Sequence, residues 1–533
     1  MNIPANAKTQ TISGEKYVFI DTPYWNAEKH RGEHKRRYIG KIVEGQFVPN
    51  GRYLLSLEKS GTIKPGPVPV TECKRQFYGA TYLLDQIGDK LGIVDDLKAS
   101  FPDKYKQLLS LAYFFVLEEG MSAYRLRKWA LTHNHPYGRD IPSQRISDLM
   151  GSIDEASKMN FFRRQARRRA EKEFLAFDTT SISSYSELIK FAKYGKNKEG
   201  DHLPQINLAL LYGEVSRLPV YFRKLTGNTA DVSLIRNLML DIDFLDMKKL
   251  SFVMDRGFYS EKNINDLMKH HHKFLIGIRC GLKIARKHLD EVRGEQLVSW
   301  ENYHDDVGLY AMSFSDEWDY REEHPRTGKC ICDKRRVYVH IYFNDQRCTD
   351  ERLSFAKYLT CLQDELKSGR KTEGHLKDYD KYFVVSETLK KGLHIIPNGD
   401  AIREHQRDFG YFVLLSNGIK DPEEAINLYR VRDLIEKAFA NLKERLDMRR
   451  MSVSSSENFE GKLFVQFLAL IYLSYIKKQM DEKGLYKKYT MQTLLDDLDI
   501  IELYQQPGRA HHLSEITKKQ IALYDAMGVP FPK

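Results

Sequence analysis

Cysteine and long hydrophobic runs are both scarce in this sequence of 533 residues. Six cysteines are too few for a disulfide framework in so long a chain, which favours a reducing compartment. The longest strongly apolar stretch, Phe464 to Ile476, is interrupted by Gln466 and Ser474 and falls short of the roughly 20 residues that span a bilayer. The N-terminus has no apolar segment behind a basic start, so no secretory signal is predicted. We therefore expect a cytoplasmic protein without a membrane partner, in which this stretch is a core helix.

The excess of positive charge is also modest. The chain has 84 Lys and Arg against 73 Asp and Glu, a formal charge of +11, and its 29% charged and 42% hydrophobic residues are typical of a folded protein. The length allows three or four domains of about 150 residues, or fewer if one is large. So small an excess only suggests a polyanionic partner.

Residues 1–66 are expected to form a small β unit, because apolar and polar positions alternate between residues 15 and 55. A strongly basic stretch, Lys29 to Arg37, lies between the predicted strands. The simpler interpretation is a solvated hairpin loop, and the alternative is a basic loop that touches phosphates.

Residues 67–172 show helical periodicity and are predicted to form a helical DNA-binding domain. The segment Ile141 to Met150, with Ser143 as a plausible cap, could be the second helix of a helix-turn-helix. The segment Lys158 to Lys172 carries seven basic residues against one acid. We predict DNA contact here, through Arg163, Arg164, Arg167 and Arg168. The alternative is an ordinary helical bundle with a solvated basic face.

From residue 173 the pattern changes to that of a mixed sheet with helices packed on it. Residues 173–280 predict the order strand, strand, strand, helix, strand, helix, strand. Residues 281–408 lack this regularity and are interpreted as a β-rich insertion. A buried strand at Tyr411 to Ser416 begins the second part of the core, residues 409–480, and residues 481–533 are predicted to be a C-terminal helical region.

A long predicted helix begins after Asp421, which is followed by Pro422 and Glu424 as in a capped helix start. It carries four polar residues within an arc of roughly 60° at about 100° per residue: Tyr429, Arg432, Glu436 and Lys443. From the spacing alone, a surface helix with chance charges is an equal alternative.

Two predicted strands stop at a carboxylate, at Asp178 and at Asp255. Neighbouring strands would bring these carboxylates to one edge of the sheet, where like charges need a cation. Mg²⁺ or Mn²⁺ prefers oxygen ligands, and two such ions about 4 Å apart promote phosphoryl transfer. Asp178, Asp255 and Glu436 would suffice to hold them. A phosphodiester would suit Arg432 and Lys443 beside that site.

Three sequence blocks resemble those of the DDE transposases of bacterial insertion sequences. The first two are Phe177-Asp-Thr-Thr and Met254-Asp-Arg-Gly-Phe-Tyr-Ser, and the third runs from Leu428 to Lys443. The third resembles the Tyr-x2-Arg-x3-Glu-x6-Lys signature of the cut-and-paste branch, which has a β-rich insertion before the catalytic Glu. The resemblance covers roughly residues 174–480.

This resemblance implies an RNase H-like core in which Asp178, Asp255 and Glu436 form the catalytic triad and bind two Mg²⁺ or Mn²⁺ ions. It implies that Tyr429, Arg432 and Lys443 contact transposon-end DNA, and that a homodimer pairs two ends in the synaptic complex. The expected activity is cleavage of double-stranded DNA at terminal inverted repeats and joining of the 3′ ends to target DNA, in the bacterial cytoplasm. The alternatives are an RNase H-like endonuclease without strand transfer and a catalytically inactive DNA-binding protein.

Overall fold

The computed structural model describes residues 3–12, 14–26, 31–43, 45–59, 74–169, 173–184, 191–195, 203–229, 234–247, 249–323, 330–388, 392–446, 450–451, 455–506 and 510–533. The chain divides into two compact units. The first comprises Met1–Asp85, Lys128–Asp140 and Gln492–Lys533, and the second comprises Gln86–Arg127 and Ile141–Met491. The predicted helical domain of residues 67–172 therefore contributes to both units, because its segments pack with partners distant in sequence.

The N-terminal segment is a four-stranded antiparallel sheet, as predicted. Its strands are β1 (Ala7–Ile12), β2 (Glu15–Asn26), β3 (Arg31–Val43) and β4 (Gln46–Pro49), in that spatial order. The following helix, α1 (Gly51–Lys59), packs on the sheet through Tyr53, which joins Val18, Ile39 and Phe47 in a small core. The predicted basic loop is wrong for its larger part, because Arg31 to Arg37 belong to β3 and pair with β2. Lys29 and His30 lie outside the described residues.

A short strand and six helices follow, which confirms the predicted helical character. They are β5 (Lys74–Phe77), α2 (Gly79–Leu91), α3 (Ile93–Ser100), α4 (Tyr105–Leu117), α5 (Leu126–Thr132), α6 (Ser143–Gly151) and α7 (Glu155–Arg169). The predicted cap of α6 is off by one position: Ser143 is already helical, and Pro142 precedes it without a side-chain cap. Pro142 serves there because the residue before a helix has extended backbone, which proline readily adopts.

The core begins with the predicted order of strands and helices. It comprises β6 (Phe174–Ser184), β7 (Gln205–Gly213), β8 (Pro219–Thr226), α8 (Leu234–Phe244), β9 (Ser251–Met254), α9 (Glu261–Lys269) and β10 (Lys273–Ile278). Their spatial order is β8-β7-β6-β9-β10, in which β6, β9 and β10 are parallel and β7 runs antiparallel to β6 and β8. The prediction that β6 stops at Asp178 is wrong, because the strand continues to Ser184 by pairing with β7.

The predicted insertion has a sheet half and a helical half. The first half contains α10 (Lys283–Val292), β11 (Tyr303–His304), β12 (Leu309–Glu323) and β13 (Cys330–Phe343). The second contains α11 (Asp345–Ser368), α12 (Leu376–Tyr382), β14 (Phe383–Thr388), β15 (Gly392–Pro397) and α13 (Gly399–Gln406). The description as β-rich therefore holds for the first half only. The 24-residue helix α11 begins at the cap of Asn344 and ends at Gly369, whose φ is 68°.

The main sheet continues from the core into the insertion. Strand β16 (Tyr411–Ser416) pairs antiparallel with β10 on one side and with β13 on the other. Among the described residues this sheet has ten strands, including the short β17 (Arg450–Met451) beside β6. The insertion thus extends the core sheet, a pairing that local periodicity does not reveal because it joins residues far apart in sequence.

The predicted long helix after Asp421 is interrupted. Asp421 caps it by accepting a hydrogen bond from the Glu424 N–H at 2.7 Å, as expected. The helix is divided at Val431 into α14 (Pro422–Arg430) and α15 (Arg432–Ala440), and a π-turn follows over Asn441–Arg445. Helix α14 packs on the main sheet through its buried residues, Ala425, Ile426 and Leu428.

The apolar stretch near the C-terminus is a core helix, as predicted. Helix α16 (Ser456–Glu482) is long and apolar enough to cross a membrane, but 94% of its most hydrophobic window is buried within the protein. The last segment contains α17 (Met491–Asp499), β18 (Glu502–Gln505), β19 (His512–Leu513) and α18 (Lys518–Ala526). Strands β18 and β19 form a three-stranded sheet with β5, so this region is not purely helical.

Candidate active site

Asp178 and Asp255 occupy matching positions on adjacent parallel strands. The pairing of β6 with β9 ends with Phe177 opposite Met254, and in each segment the next residue is an aspartate. Adjacent strands are about 4.8 Å apart, and residues in register point to the same face, so the two side chains are neighbours. The two aspartates predicted to meet at one edge of the sheet therefore follow equivalent positions of neighbouring strands.

The two carboxylates are fixed in the same way by the backbone. Asp178 Oδ1 accepts a hydrogen bond from the Thr179 N–H, and Asp255 Oδ1 accepts one from the Arg256 N–H, both at 2.7 Å. Both side chains are partly exposed. Each carboxylate is therefore oriented by its own strand and remains accessible to a ligand.

Arg432 links this pair to Glu436. Its Nη1 lies 2.6 Å from Asp255 Oδ1, and its Nη2 lies 3.0 Å from Glu436 Oε1. The Arg432 side chain is 22% exposed, and it shares one face of α15 with Glu436, four residues on, while it reaches Asp255. The predicted stripe thus brings Arg432 into contact with Asp255 and keeps Glu436 beside Arg432.

Tyr429 completes the contact between the helix and the strands. Its hydroxyl donates a hydrogen bond to Asp255 Oδ1 at 3.2 Å. Burial raises the pKa of the Tyr429 phenol well above its usual value, and the neighbouring Asp255 carboxylate adds to this effect. A Cβ atom on Gly277 of β10 would lie 2.7 Å from the Tyr429 hydroxyl oxygen. Gly277, which the sequence did not single out, therefore makes room for this ring.

Lys443 lies in the π-turn, seven residues beyond Glu436. A π-turn has i to i+5 hydrogen bonds and so more residues per turn than an α-helix. The regular spacing that predicted a four-residue stripe therefore ends at Ala440. Direct contacts join Tyr429, Arg432 and Glu436, and half-buried Lys443 follows in a differently wound segment.

The donor set suits a hard divalent cation, although the three carboxylates do not form one cage. Asp178, Asp255 and Glu436 provide only oxygen ligands, which Mg²⁺ and Mn²⁺ prefer. Within the described ranges, no three His, Cys, Asp or Glu side chains are grouped as a metal site. Arg432 supplies the positive charge between Asp255 and Glu436. A cage that includes Glu436 therefore requires movement of the Arg432 side chain.

Three of the four arginines predicted to bind DNA on α7 have partners within the protein. Arg168 makes two hydrogen bonds of 2.8 Å to Asp96, a buried carboxylate that also accepts one from Gln165 at 2.6 Å. Arg167 pairs with Asp246 at 3.1 Å, and Arg163 donates to the Phe244 carbonyl at 3.0 Å. Arg164 is exposed. The structure thus assigns Arg168 a structural role and leaves Arg164 open to a ligand.

A cleft of about 1220 Å³ adjoins Asp255 and Arg432. It is lined by basic and aromatic side chains from the ends of β9 and β10, from the insertion and from β16: Arg256, Arg279, Arg347, Lys381, Phe355, Tyr358, Tyr411 and Phe412. The sequence interpretation missed these residues. The available signal was that Arg256 and Arg279 each follow a buried strand closely, in the same manner as Asp255.

The family of the Transposase DDE domain matches residues 169–472. The chain belongs to this transposase family. The matched range includes all three predicted catalytic carboxylates and the complete insertion. Residues 1–168 and 473–533 lie outside it.

The other comparisons do not extend the family assignment. A comparison with curated proteins finds no match. A solved piggyBac transposase synaptic complex with hairpin DNA is similar over 78% of this chain and 70% of that chain, with 12% identity and a TM-score of 0.35. Likeness at this level supports no statement about individual residues.

Proposed function

We propose that this transposase belongs to a bacterial insertion sequence and acts in the bacterial cytoplasm. It would bind the terminal inverted repeats of its own element, cleave the DNA ends and join the 3′ ends to target DNA. The single observation that carries this proposal is the meeting of Asp178 and Asp255 on adjacent strands with Arg432 and Glu436 from α15. The Tyr-x2-Arg-x3-Glu-x6-Lys spacing supports the cut-and-paste branch.

The proposed core is RNase H-like. Support comes from the strand order β8-β7-β6-β9-β10, with a meander of β6, β7 and β8 followed by two strands parallel to β6. The carboxylates lie where the pairing of β6 with β9 ends, at the carboxyl end of β9. Ligands of open α/β sheets commonly bind at such a point.

In this proposal Asp178, Asp255 and Glu436 hold two Mg²⁺ or Mn²⁺ ions. Bound divalent ions lower the pKa of water and stabilise a leaving oxygen in phosphoryl transfer. The backbone bonds from Thr179 and Arg256 orient the two aspartates for this role. Arg432 would exchange its contacts with Asp255 and Glu436 for a DNA phosphate, because a planar guanidinium can form two parallel hydrogen bonds to one phosphate group.

Other residues of the chain would position the DNA. Tyr429 holds Asp255 through its hydroxyl, and Lys443 would contact the transposon end from the π-turn. Arg256 and Arg279 line the adjoining cleft, make no ion pair among the described residues, and could follow the backbone of the reacting strand. Two protomers would bring two ends together in a synaptic homodimer.

The test uses purified full-length protein and a duplex that carries the ends flanking its reading frame. Asp178→Asn, Asp255→Asn and Glu436→Gln should each abolish Mg²⁺-dependent cleavage while binding to the same duplex remains close to wild type. Asp433→Asn is the matched control, because Asp433 is an exposed carboxylate on the same helix. It should leave cleavage unchanged.

The products of the same reaction separate the alternatives. Joining of labelled 3′ ends to a target plasmid supports a transposase, and two ends per protein dimer support synapsis. Cleavage without joining indicates an endonuclease. Binding without cleavage by the wild-type protein, in either Mg²⁺ or Mn²⁺, indicates an inactive DNA-binding protein and refutes the proposed activity.

A further inference from the structure

The ends of β2 and β3 form a two-stranded ribbon that extends beyond the rest of the N-terminal sheet. The pairing of β1 with β2 stops at Ala7 opposite Ile20, and β4 pairs only with Gly40 to Val43. Residues 21–26 therefore pair only with residues 31–36 among the described strands. At about 3.3 Å per residue the ribbon is roughly 20 Å long.

Within the part of the chain that the structure describes, both faces of this ribbon are open to solvent. The side chains of residues 22–25 and 34–37 are exposed, and Glu33 is partly buried. Trp25 is 66% exposed and Tyr24 is 45% exposed. Large aromatic side chains contribute most to stability when buried, so two of them on an uncovered ribbon indicate a binding surface.

The ribbon carries more positive than negative charge. Its carboxylates, Asp21 and Glu33, already have partners: Lys8 and His34 lie 3.1 and 3.3 Å from Asp21, and Arg31 lies 2.8 Å from Glu33. Three further cations, two in the ribbon and Arg37 at its base, form no direct ion pair in the described part of the chain: Lys35, Arg36 and Arg37. Arg36 and Arg37 donate hydrogen bonds to the neutral side chains of Gln10 and Ser56, and Arg36 also lies over the Phe19 ring, 5.2 Å from its centroid. Neither guanidinium contacts a carboxylate directly among the described residues, although Arg36 lies opposite Asp21.

The three cations are distributed over both faces of the ribbon. Lys35 lies opposite Thr22 and Arg37 opposite Ile20, on the face that carries α1 farther along the sheet. Arg36 lies opposite Asp21 and points to the other face, because side chains alternate along a strand. A ribbon with cations on both faces fits between two rows of phosphates better than it fits a flat surface.

We propose that this ribbon is a DNA-binding arm that enters the major groove of duplex DNA. The major groove is about 12 Å wide and admits a two-stranded ribbon. Lys35, Arg36 and Arg37 bind phosphates on the two sides of the groove, and Trp25 and Tyr24 reach bases or sugars near the ribbon's end. The inference rests on the proposed function for its ligand, DNA, and assigns a site outside the matched transposase domain.

The experiment compares two double variants of the full-length protein. Lys35→Gln with Arg36→Gln removes two ribbon charges, and Lys518→Gln with Lys533→Gln removes two exposed charges elsewhere in the first unit. Binding to a fluorescent 30-base-pair duplex is measured by anisotropy at several salt concentrations. All four side chains are exposed, so we expect unchanged thermal unfolding midpoints, which are measured in parallel.

We expect the ribbon variant to bind at least about tenfold more weakly at low salt. Its slope of log affinity against log salt should fall by about 1.8, since each lost phosphate contact removes about 0.9. The control variant should match the wild type. Trp25→Ala should weaken binding while the salt slope stays constant, because an indole carries no charge.

Equal affinity and salt slope for the ribbon variant and the wild type would overturn the inference. Greater loss of binding to single-stranded DNA than to the duplex would also overturn it. Displacement of the wild-type protein by a major-groove ligand such as methyl green, and not by the minor-groove ligand netropsin, supports the groove assignment, and the reverse pattern contradicts it. Failure of the wild-type protein to bind any duplex contradicts the proposed function itself, which distinguishes the two hypotheses.

Discussion

The Arg432 guanidinium lies 2.6 Å from Asp255 and also contacts Glu436, which belongs to the same helix. Asp178 lies beside Asp255 on the neighbouring strand, so three carboxylates approach one another around a single arginine. Carboxylates that lie close together repel one another, and the Arg432 guanidinium offsets part of that repulsion. Arg432 therefore serves both as a counter-ion to the carboxylates and as a group that phosphate can attract.

Replacement of Arg432 should separate these two roles. In Arg432→Ala the carboxylates lose their resident cation, so Mn²⁺ should bind the DNA-free protein about fivefold more tightly, which corresponds to about 1 kcal/mol for a partly exposed ion pair. Affinity for transposon-end DNA should fall. Titration calorimetry with Mn²⁺ and anisotropy with DNA measure the two effects. Arg432→Lys keeps the charge and should stay near wild type for Mn²⁺, whereas unchanged Mn²⁺ affinity in Arg432→Ala would contradict the counter-ion role.

Gly277 and Tyr429 should be coupled through their close approach. A methyl group at Gly277 would lie 2.7 Å from the Tyr429 hydroxyl oxygen, so Gly277→Ala should destabilise the protein by about 1 to 3 kcal/mol. The same substitution should cost less in a Tyr429→Phe background, which lacks that oxygen. Urea unfolding of the two single variants and the double variant measures the coupling. Strictly additive effects would mean that the ring moves aside freely.

The sequence was sufficient for the parts of the site that depend on local pattern. Asp178 and Asp255 could be paired because each follows a buried apolar run, and adjacent parallel strands place the residues after such runs side by side, although β6 itself continues beyond Asp178. Arg432 and Glu436 could be placed together because they are four residues apart on a helix. The order of strands and helices from β6 to β10 followed from hydrophobic periodicity in the same way.

The rest depends on contacts between distant residues. The π-turn around Lys443 has no sequence signal as plain as a proline, so a uniform helix was predicted. The pairing of β13 with β16 joins segments about 70 residues apart, and periodicity cannot specify such a partner. The basic residues of α7 looked equivalent in sequence, but Asp96 lies close enough to engage Arg168. Charge alone does not distinguish a structural arginine from a DNA-binding one.

Arg168 and Arg164 should therefore respond differently to replacement. Arg168→Ala removes both hydrogen bonds from Arg168 to the buried Asp96 carboxylate and leaves the one from Gln165. The substitution should therefore lower the free energy of unfolding by about 1 to 3 kcal/mol. Arg164→Ala removes an exposed charge and should leave the free energy of unfolding within about 0.5 kcal/mol. Denaturant unfolding measures both values. Equal stability of the two variants would refute the structural role of Arg168.

His340 should make the fold sensitive to mild acid. Its ring is fully buried in β13 beside Ser313, whose hydroxyl lies 2.5 Å from Nδ1, and burial lowers the pKa of His340 to about 4. In the unfolded chain a histidine has a pKa of about 6.5 and so binds more protons than the folded form between these values. The stabilisation is therefore complete above pH 6.5 and declines as the pH falls towards 4. Proton linkage at His340 should therefore lower the free energy of unfolding by about 2 kcal/mol at pH 5.

His340→Gln keeps a polar side chain of similar size but cannot titrate. The variant should lose less stability than the wild type between pH 7.5 and pH 5, with a difference of about 2 kcal/mol in the free energy of unfolding. Urea unfolding at the two pH values gives this difference directly, whatever the variant's stability at pH 7.5. If the His340→Gln variant and the wild type lose the same stability, the ring must remain accessible to protons in the folded state.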